Sequence, residues 1–252
     1  MKRQVSVIGI GAGNPEYVTM QAIKALNRVS VFFIPNKGDD KADLHHLRRE
    51  ICERYIEGDA YRLVDFDIPE RSKAGAYKSD VAAWRAEVRR IYETLLTDEL
   101  GADEVGGFLV WGDPSLYDGT MEILDTIRDE GRMDLDYEVI PGISSVSALA
   151  ARHRIALNRI GEPLTITTAR LVSQGLPETG GNVVVMLDSR SAYHQVDPDL
   201  DIHWGAYIGT DDEILVAGRL RDVREEIDRR RAAARDEKGW VMDTYMLSRG
   251  KG

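Results

Sequence analysis

Apolar residues in this chain fall into short runs, and stretches of helical periodicity separate them, an alternation that predicts an α/β fold. Residues 5–10 form the first run and feed Gly11-Ala12-Gly13-Asn14-Pro15-Glu16. Thr19 then precedes Ala22, Ile23, Leu26 and Val29 at helical spacing, as an N-cap would, and 31–34 read as a second strand stopped by Pro35. Leu44, Leu47, Ile51 and Tyr55 share one face of a helix over 43–55, and 61–66 read as a third strand. The run 107–111 is a fourth strand, broken by Gly112-Asp113-Pro114. Pro114 has no backbone N–H and biases Asp113 towards an extended conformation, so the chain must leave the sheet there. Met121, Leu124 and Ile127 place a helix over 117–128. A fifth strand, 136–140, ends in Pro141-Gly142-Ile143-Ser144-Ser145, where Ser144 or Ser145 can cap a helix over 146–152.

The pattern changes near Arg154, which sets expected domains of 1–154 and 155–252. Strands then come faster, at 164–168, 182–187, 203–208 and 213–217, before a charged helix over 220–234 and a last strand over 241–247. In that helix Leu220, Val223 and Ile227 make a narrow apolar stripe, and Glu225–Arg229 and Glu226–Arg230 are i,i+4 pairs. Its arginines are most simply a solvated face.

The strand–turn–helix joint around Asp113 holds a carboxylate, a glycine and an aromatic at the carboxyl end of a strand, where open α/β sheets bind ligands. Two familiar chemistries do not fit. A dinucleotide fingerprint needs its third glycine where Asn14 stands, and an acidic residue where the second strand ends in Pro35. A nucleophile elbow fails because Gly142-Ile143-Ser144 continues into Ser145-Val146. His45 and His46 are adjacent, so on a helix they point about 100° apart and cannot share a metal. Cys52 is the only cysteine, which excludes an intramolecular disulfide and a cysteine metal cage, and no metal site is expected.

A net charge of −10 argues against nonspecific nucleic-acid binding. It does not forbid an anionic ligand, because Arg71, Lys73, Lys78, Arg85, Arg89 and Arg90 cluster within 71–90 against only Asp80 and Glu87. Tyr77 and Trp84 are interleaved, and a polycarboxylate substrate would suit such a segment. No apolar run approaches the roughly 18 residues of a membrane span, and the amino terminus runs straight into a strand pattern. A soluble, cytoplasmic protein without a membrane partner is the expectation.

Three stretches resemble, in order, the motifs of the tetrapyrrole (corrin/porphyrin) methyltransferases: 7–16, Gly112-Asp113-Pro114-Ser115-Leu116-Tyr117, and 139–145. The resemblance covers essentially the whole chain. It implies an N-terminal, mostly parallel sheet with flanking helices, a C-terminal mixed sheet, and a ligand cleft between them. It also implies a homodimer that binds S-adenosylmethionine. Carried over position by position, the cofactor contacts fall on Pro35, Trp111, Gly112, Asp113, Leu116, Tyr117, Ser144, Ser145, Met186, Leu187, Gly205 and Ala206. Family members often have glycine where Trp111 and Leu187 stand. The opening loop, with Gly11 and Gly13, would border the macrocycle, and Arg71, Lys73, Lys78 and Arg85 would meet its acetate and propionate arms.

The wording around 111–118 and the insertion after Pro35 resemble most the members that methylate precorrin-5 at C-1 and release acetate. Acetate release needs an activated water, for which Asp113 is the candidate base and Asp39, Asp40 and Tyr117 its rivals. A precorrin-2 C-20 methyltransferase, or a noncatalytic tetrapyrrole- or nucleotide-binding module, are the alternatives.

Overall fold

The computed structural model describes residues 2–36, 42–69, 77–177 and 180–249, which form two compact units. The first comprises Met1–Gly11 and Pro15–Ile143, the second Ala12–Asn14 and Ser144–Gly252.

The first unit is built on β1 (Lys2–Gly9), β2 (Val31–Asn36), β3 (Arg62–Asp67), β4 (Val105–Val110) and β5 (Asp134–Ile140). All pair in parallel, in the order β3-β2-β4-β1-β5. Strand alternation divides the apolar residues between two faces. Ile8, Ile10, Phe32, Ile34 and Leu109 pack under α1 (Met20–Leu26) and α2 (Ala42–Tyr55). Val5, Val7, Val31, Phe33, Phe108 and Val110 pack under α3 (Tyr77–Thr94) and α4 (Thr120–Asp129). There Tyr92 stacks on Phe108 at 4.5 Å between ring centroids and meets Phe66 edge-on. Thr19 caps α1 as expected, accepting from the Ala22 N–H at 3.0 Å. The helix expected from 117 begins instead at Thr120, because Tyr117 takes a left-handed φ of 54° and Asp118 accepts from the Thr120 N–H at 2.8 Å.

The second unit carries α5 (Ser145–His153), β6 (Leu164–Thr168), α6 (Ala169–Val172), β7 (Asn182–Met186), β8 (Asp201–Ala206), β9 (Ile214–Arg219), α7 (Leu220–Lys238) and β10 (Asp243–Ser248). Its sheet runs β6-β7-β10-β8-β9, with β6 and β7 parallel and the other pairs antiparallel. This is the mixed sheet that the resemblance implied. The two units divide at Ile143/Ser144, ahead of the change in pattern near Arg154, because α5 packs on β8, β9 and β10.

The arginine-rich helix is not solvated throughout. Glu226 and Arg230 form one of the two expected pairs at 2.8 Å, but Arg231 is buried. Its position continues the stripe of Leu220, Val223 and Ile227.

Candidate functional site

The carboxyl edge of the first sheet is shaped by connectivity. β2 leaves towards β3, whereas its neighbour β4 leaves towards β5, so their loops diverge, and such a divergence opens a crevice. The pairing shows where it opens. β2 and β4 part after Phe33↔Phe108, while β2 follows β3 as far as Asn36↔Asp67. Pro35 lies in this divergent stretch and has no N–H to offer β4. Arg48 fills the gap from α2: its Nε donates to the Leu109 carbonyl at 3.0 Å and its Nη1 to the Leu44 carbonyl at 2.8 Å. Burial lowers this guanidinium to about 10, against the opposing charges of Asp118 and Tyr92. Among the described residues it has no carboxylate partner within ion-pair distance.

On the other side the loops after β1, β4 and β5 are clasped together. Gly11 and Gly112 exchange backbone hydrogen bonds at 3.2 and 2.8 Å. A Cβ on Gly142 would overlap the Gly112 carbonyl oxygen and the Gly9 backbone, and one on Gly9 would strike Gly142 and Pro114. Gly9 and Gly142 therefore leave room for their loops to touch, and Gly112 supplies a left-handed φ of 72°. Asp113 locks them: one carboxylate oxygen accepts from the Ser115 N–H at 2.8 Å and from its hydroxyl, the other from the Gly142 N–H at 2.9 Å. Burial acts to raise its pKa, but these bonds outweigh it and hold the carboxyl below the usual carboxylate range. A carboxylate so occupied is a poor proton acceptor and a good tether.

The remaining candidates in this unit follow from the tether. Trp111 lays its indole partly buried against the α1/α2 core, which leaves its backbone at the edge. The Leu116 N–H closes the turn on the Asp113 carbonyl at 3.2 Å. Tyr117, strained at a positive φ, is still 49% exposed. Backbone strain of this kind clusters at ligand-binding turns, and neither burial nor helix continuation accounts for it here. Gly11 and Gly13, expected to border the macrocycle, have no room for a side chain: a Cβ on Gly11 would meet Tyr17, and one on Gly13 the Ile208 carbonyl and Thr210.

In the second unit the candidates lie in register. Thr244 of β10 stands opposite Met186 on one side and Gly205 on the other, and Ala206 pairs with Asp243. The Thr244 hydroxyl is 3.1 Å from that of Ser145, and Ser144 caps α5 through the Ser147 N–H at 3.3 Å. Immediately after β7, Leu187 turns at φ 56° with its side chain 63% exposed. Tyr117 and Leu187 thus share a signature, each within its own unit. The sequence did not single out Thr244 or Arg48. Arg48 alone left a signal, since it lies between Leu44 and Ile51 on the apolar face of α2.

Of the basic residues expected to face a polycarboxylate, Arg71 and Lys73, with the side chain of Lys78, lie outside the described residues. Arg85 pairs with Glu122 of α4 at 2.5 Å, and Arg89 with Glu130. Asp39 and Asp40 also lie outside the described residues. His45 pairs with Asp65 at 2.7 Å, and no group of metal-binding side chains occurs among the described residues.

The family model of the tetrapyrrole (corrin/porphyrin) methylases matches residues 4–224. The chain is 48% identical over 250 residues to the precorrin-6A synthase [deacetylating] of a Sinorhizobium species, covering 98% of this chain and 96% of that one. A probable cobalt-precorrin-2 C(20)-methyltransferase of Methanocaldococcus jannaschii is 24% identical over 65% of this chain and 63% of its own length. Among solved structures, a cobalamin-synthesis-related protein (CobF) from Corynebacterium diphtheriae superposes with a TM-score of 0.84, at 33% identity and 99% coverage of both chains.

Proposed function

The chain belongs to the tetrapyrrole methylase family, and from that premise we propose that it is an S-adenosylmethionine-dependent precorrin methyltransferase of cobalamin biosynthesis, acting as a precorrin-6A synthase. Its reaction is then methylation of precorrin-5 at C-1 with release of acetate. The observation that carries this reading is identity of nearly half the residues, sustained over almost the full length of both chains.

The described residues fit a sulfonium donor. They offer backbone at divergent loop ends and two exposed side chains on strained turns, and Asp113 keeps both carboxylate oxygens engaged in hydrogen bonds. The residues that would hold the donor are Pro35, Trp111, Gly112, Leu116 and Tyr117 of the first unit, and Ser144, Ser145, Met186, Leu187, Gly205 and Ala206 of the second. When bound, S-adenosylmethionine supplies an already activated methyl group. The chain's own task is alignment, which can be worth about 7–11 kcal/mol where two reactants must meet in line. Asp113 serves that task as a positioning residue, by fixing the Gly112–Tyr117 turn against Gly142. Its lowered pKa argues against its acting as the base for deacetylation.

The loop of Gly11 and Gly13 and the basic residues Arg71, Lys73, Lys78 and Arg85 remain our proposal for the macrocycle side. Arg85 would exchange Glu122 for a substrate carboxylate. We also propose a cytoplasmic homodimer. No described helix is long and apolar enough to cross a membrane.

Incubation with precorrin-5 and methyl-labelled donor tests the whole reading. The expected product carries one labelled methyl and has lost its acetyl group, with one acetate formed per turnover. No turnover of precorrin-5 together with methylation of precorrin-2 would reassign the enzyme to the sister C-20 reaction. No binding of S-adenosylmethionine or its homocysteine product would leave a noncatalytic module.

A further inference from the structure

One short loop of the second unit contains two non-glycine residues in the left-handed region, Leu187 at φ 56° and Ser191 at φ 54°. Such positions cost about 1 kcal/mol or more each and persist only where the surroundings hold them. The Leu187 side chain is mostly exposed, so its own burial does not hold the turn.

The hold comes from beneath, through buried charged side chains. Asp188 accepts from the N–H groups of Arg190 and Ala192, both at 2.8 Å, and from the Tyr245 hydroxyl at 2.9 Å. Arg231 of α7 donates to the Asp188 carbonyl, to the Ser191 hydroxyl at 3.1 Å, and through Nε to Asp243 at 3.0 Å. The Trp204 indole N–H donates to the same Asp243 oxygen at 3.0 Å. Loop, α7, β8 and β10 are joined by one set of bonds, and Asp243 adjoins Thr244, which pairs with Met186 and Gly205. A buried ion pair is weak grounds for stability alone, because desolvation offsets much of its attraction. What this one does is fix a loop in a conformation that the loop would not choose.

We infer that Arg231, Asp243 and Asp188 are positioning residues for the methyl donor, holding the left-handed turn at Leu187 in the form that binds it. The inference rests on the methyltransferase reading above. The rigid fork of a guanidinium makes lysine a poor replacement at Arg231, since Nε, Nη1 and Nη2 each serve a different partner.

Calorimetry with S-adenosylhomocysteine on the full chain, with steady-state kinetics alongside, tests it. Asp243→Asn should weaken binding about tenfold and Tyr245→Phe about threefold, as expected for members of one bonded network. The KM for the methyl donor should rise while the KM for precorrin-5 stays constant. The discriminating measurement is a second background, Leu187→Gly. Glycine takes a positive φ without the Cβ penalty, so the same two substitutions should cost much less there. Equal fold-losses in both backgrounds, or undiminished affinity in Asp243→Asn and Tyr245→Phe, would overturn the inference while leaving the methyltransferase reading intact. An equal loss in Arg230→Ala, which breaks only the surface pair with Glu226, would overturn it too. If Asp243→Asn does not fold, Tyr245→Phe, which loses a single hydroxyl, decides alone. Wild-type protein that binds no S-adenosylhomocysteine would remove the methyltransferase reading itself, and this inference with it.

Discussion

At Gly142 a methyl group would collide with two backbones, those of Gly112 and Gly9, and backbone cannot turn aside as a flexible side chain can. Gly142→Ala should therefore cost about 3 kcal/mol or more in urea unfolding, at the upper end of single substitutions. Gly119→Ala has open space and should cost no more than about 0.5 kcal/mol. Asp113 tests the same junction electrostatically. Its folded pKa lies below the usual value, so its contribution is complete above about pH 4 and fades as pH falls through the folded value. Asp113→Asn can accept on one oxygen only and sets an amide N–H against a donor. A loss of about 1–3 kcal/mol at pH 7 is expected, together with a shallower fall in stability on acidification below pH 4. The sequence displayed these residues plainly, because proline and glycine punctuate it there. It did not reveal that Gly9 and Gly142, far apart in the chain, each leave no room for a side chain on the other.

Among elements, the parting of β2 and β4 matters most for the site. It arises from the order of connections and from a proline that cannot continue the ladder. Arg48 takes up the carbonyl thus released, and its removal should be felt at the carboxyl end of β4. Arg48→Met should destabilise by about 2 kcal/mol, because a buried carbonyl loses its donor, and Arg48→Lys should recover little of that. Arg85→Ala, which breaks an exposed pair with Glu122, should cost at most about 1 kcal/mol. Both values can be read from unfolding midpoints. Strand existence was legible throughout: the inner strands β1, β2 and β4 are largely buried on both faces and read as apolar runs, whereas the edge strands β3 and β5 alternate apolar with charged residues. Helix faces were legible except where an arginine occupies a stripe position. Arg48 and Arg231 both do so, and each donates to a carbonyl just beyond or at a strand end.

On the scale of the molecule, each unit has a core and ionisable groups of its own, and the second should respond to acid. Burial lowers the pKa of His203, aided by the charge of His153, and burial also lowers that of His153 despite its bond to the Trp204 carbonyl. Both are neutral in the fold at pH values where the unfolded chain takes up protons. Their contribution is thus complete above about pH 6.5 and declines as pH falls towards the folded values. Asp243, pushed up to about 6 by burial despite Arg231, runs the other way: the folded carboxyl takes its proton before the unfolded one does, which favours the fold as pH falls below that value. His203→Phe removes one of the two histidines and with it a buried Nδ1 that has no hydrogen-bond partner among the described residues. Its stability should decline less than that of the wild type between pH 7 and 5, as followed by urea midpoints.

By itself the sequence determined the strands, the helices and the three loop motifs with their family, because those depend on local periodicity, on proline and glycine, and on residue identity in order. Only the tertiary structure decided which loops touch, that Asp113 is a tether with both oxygens engaged, and that Arg48 and Arg231 are buried. Those outcomes depend on strand order and on which carbonyls are left without a ladder partner. Such a vacancy is created by two strands distant in sequence, so no stretch of residues read alone contains it.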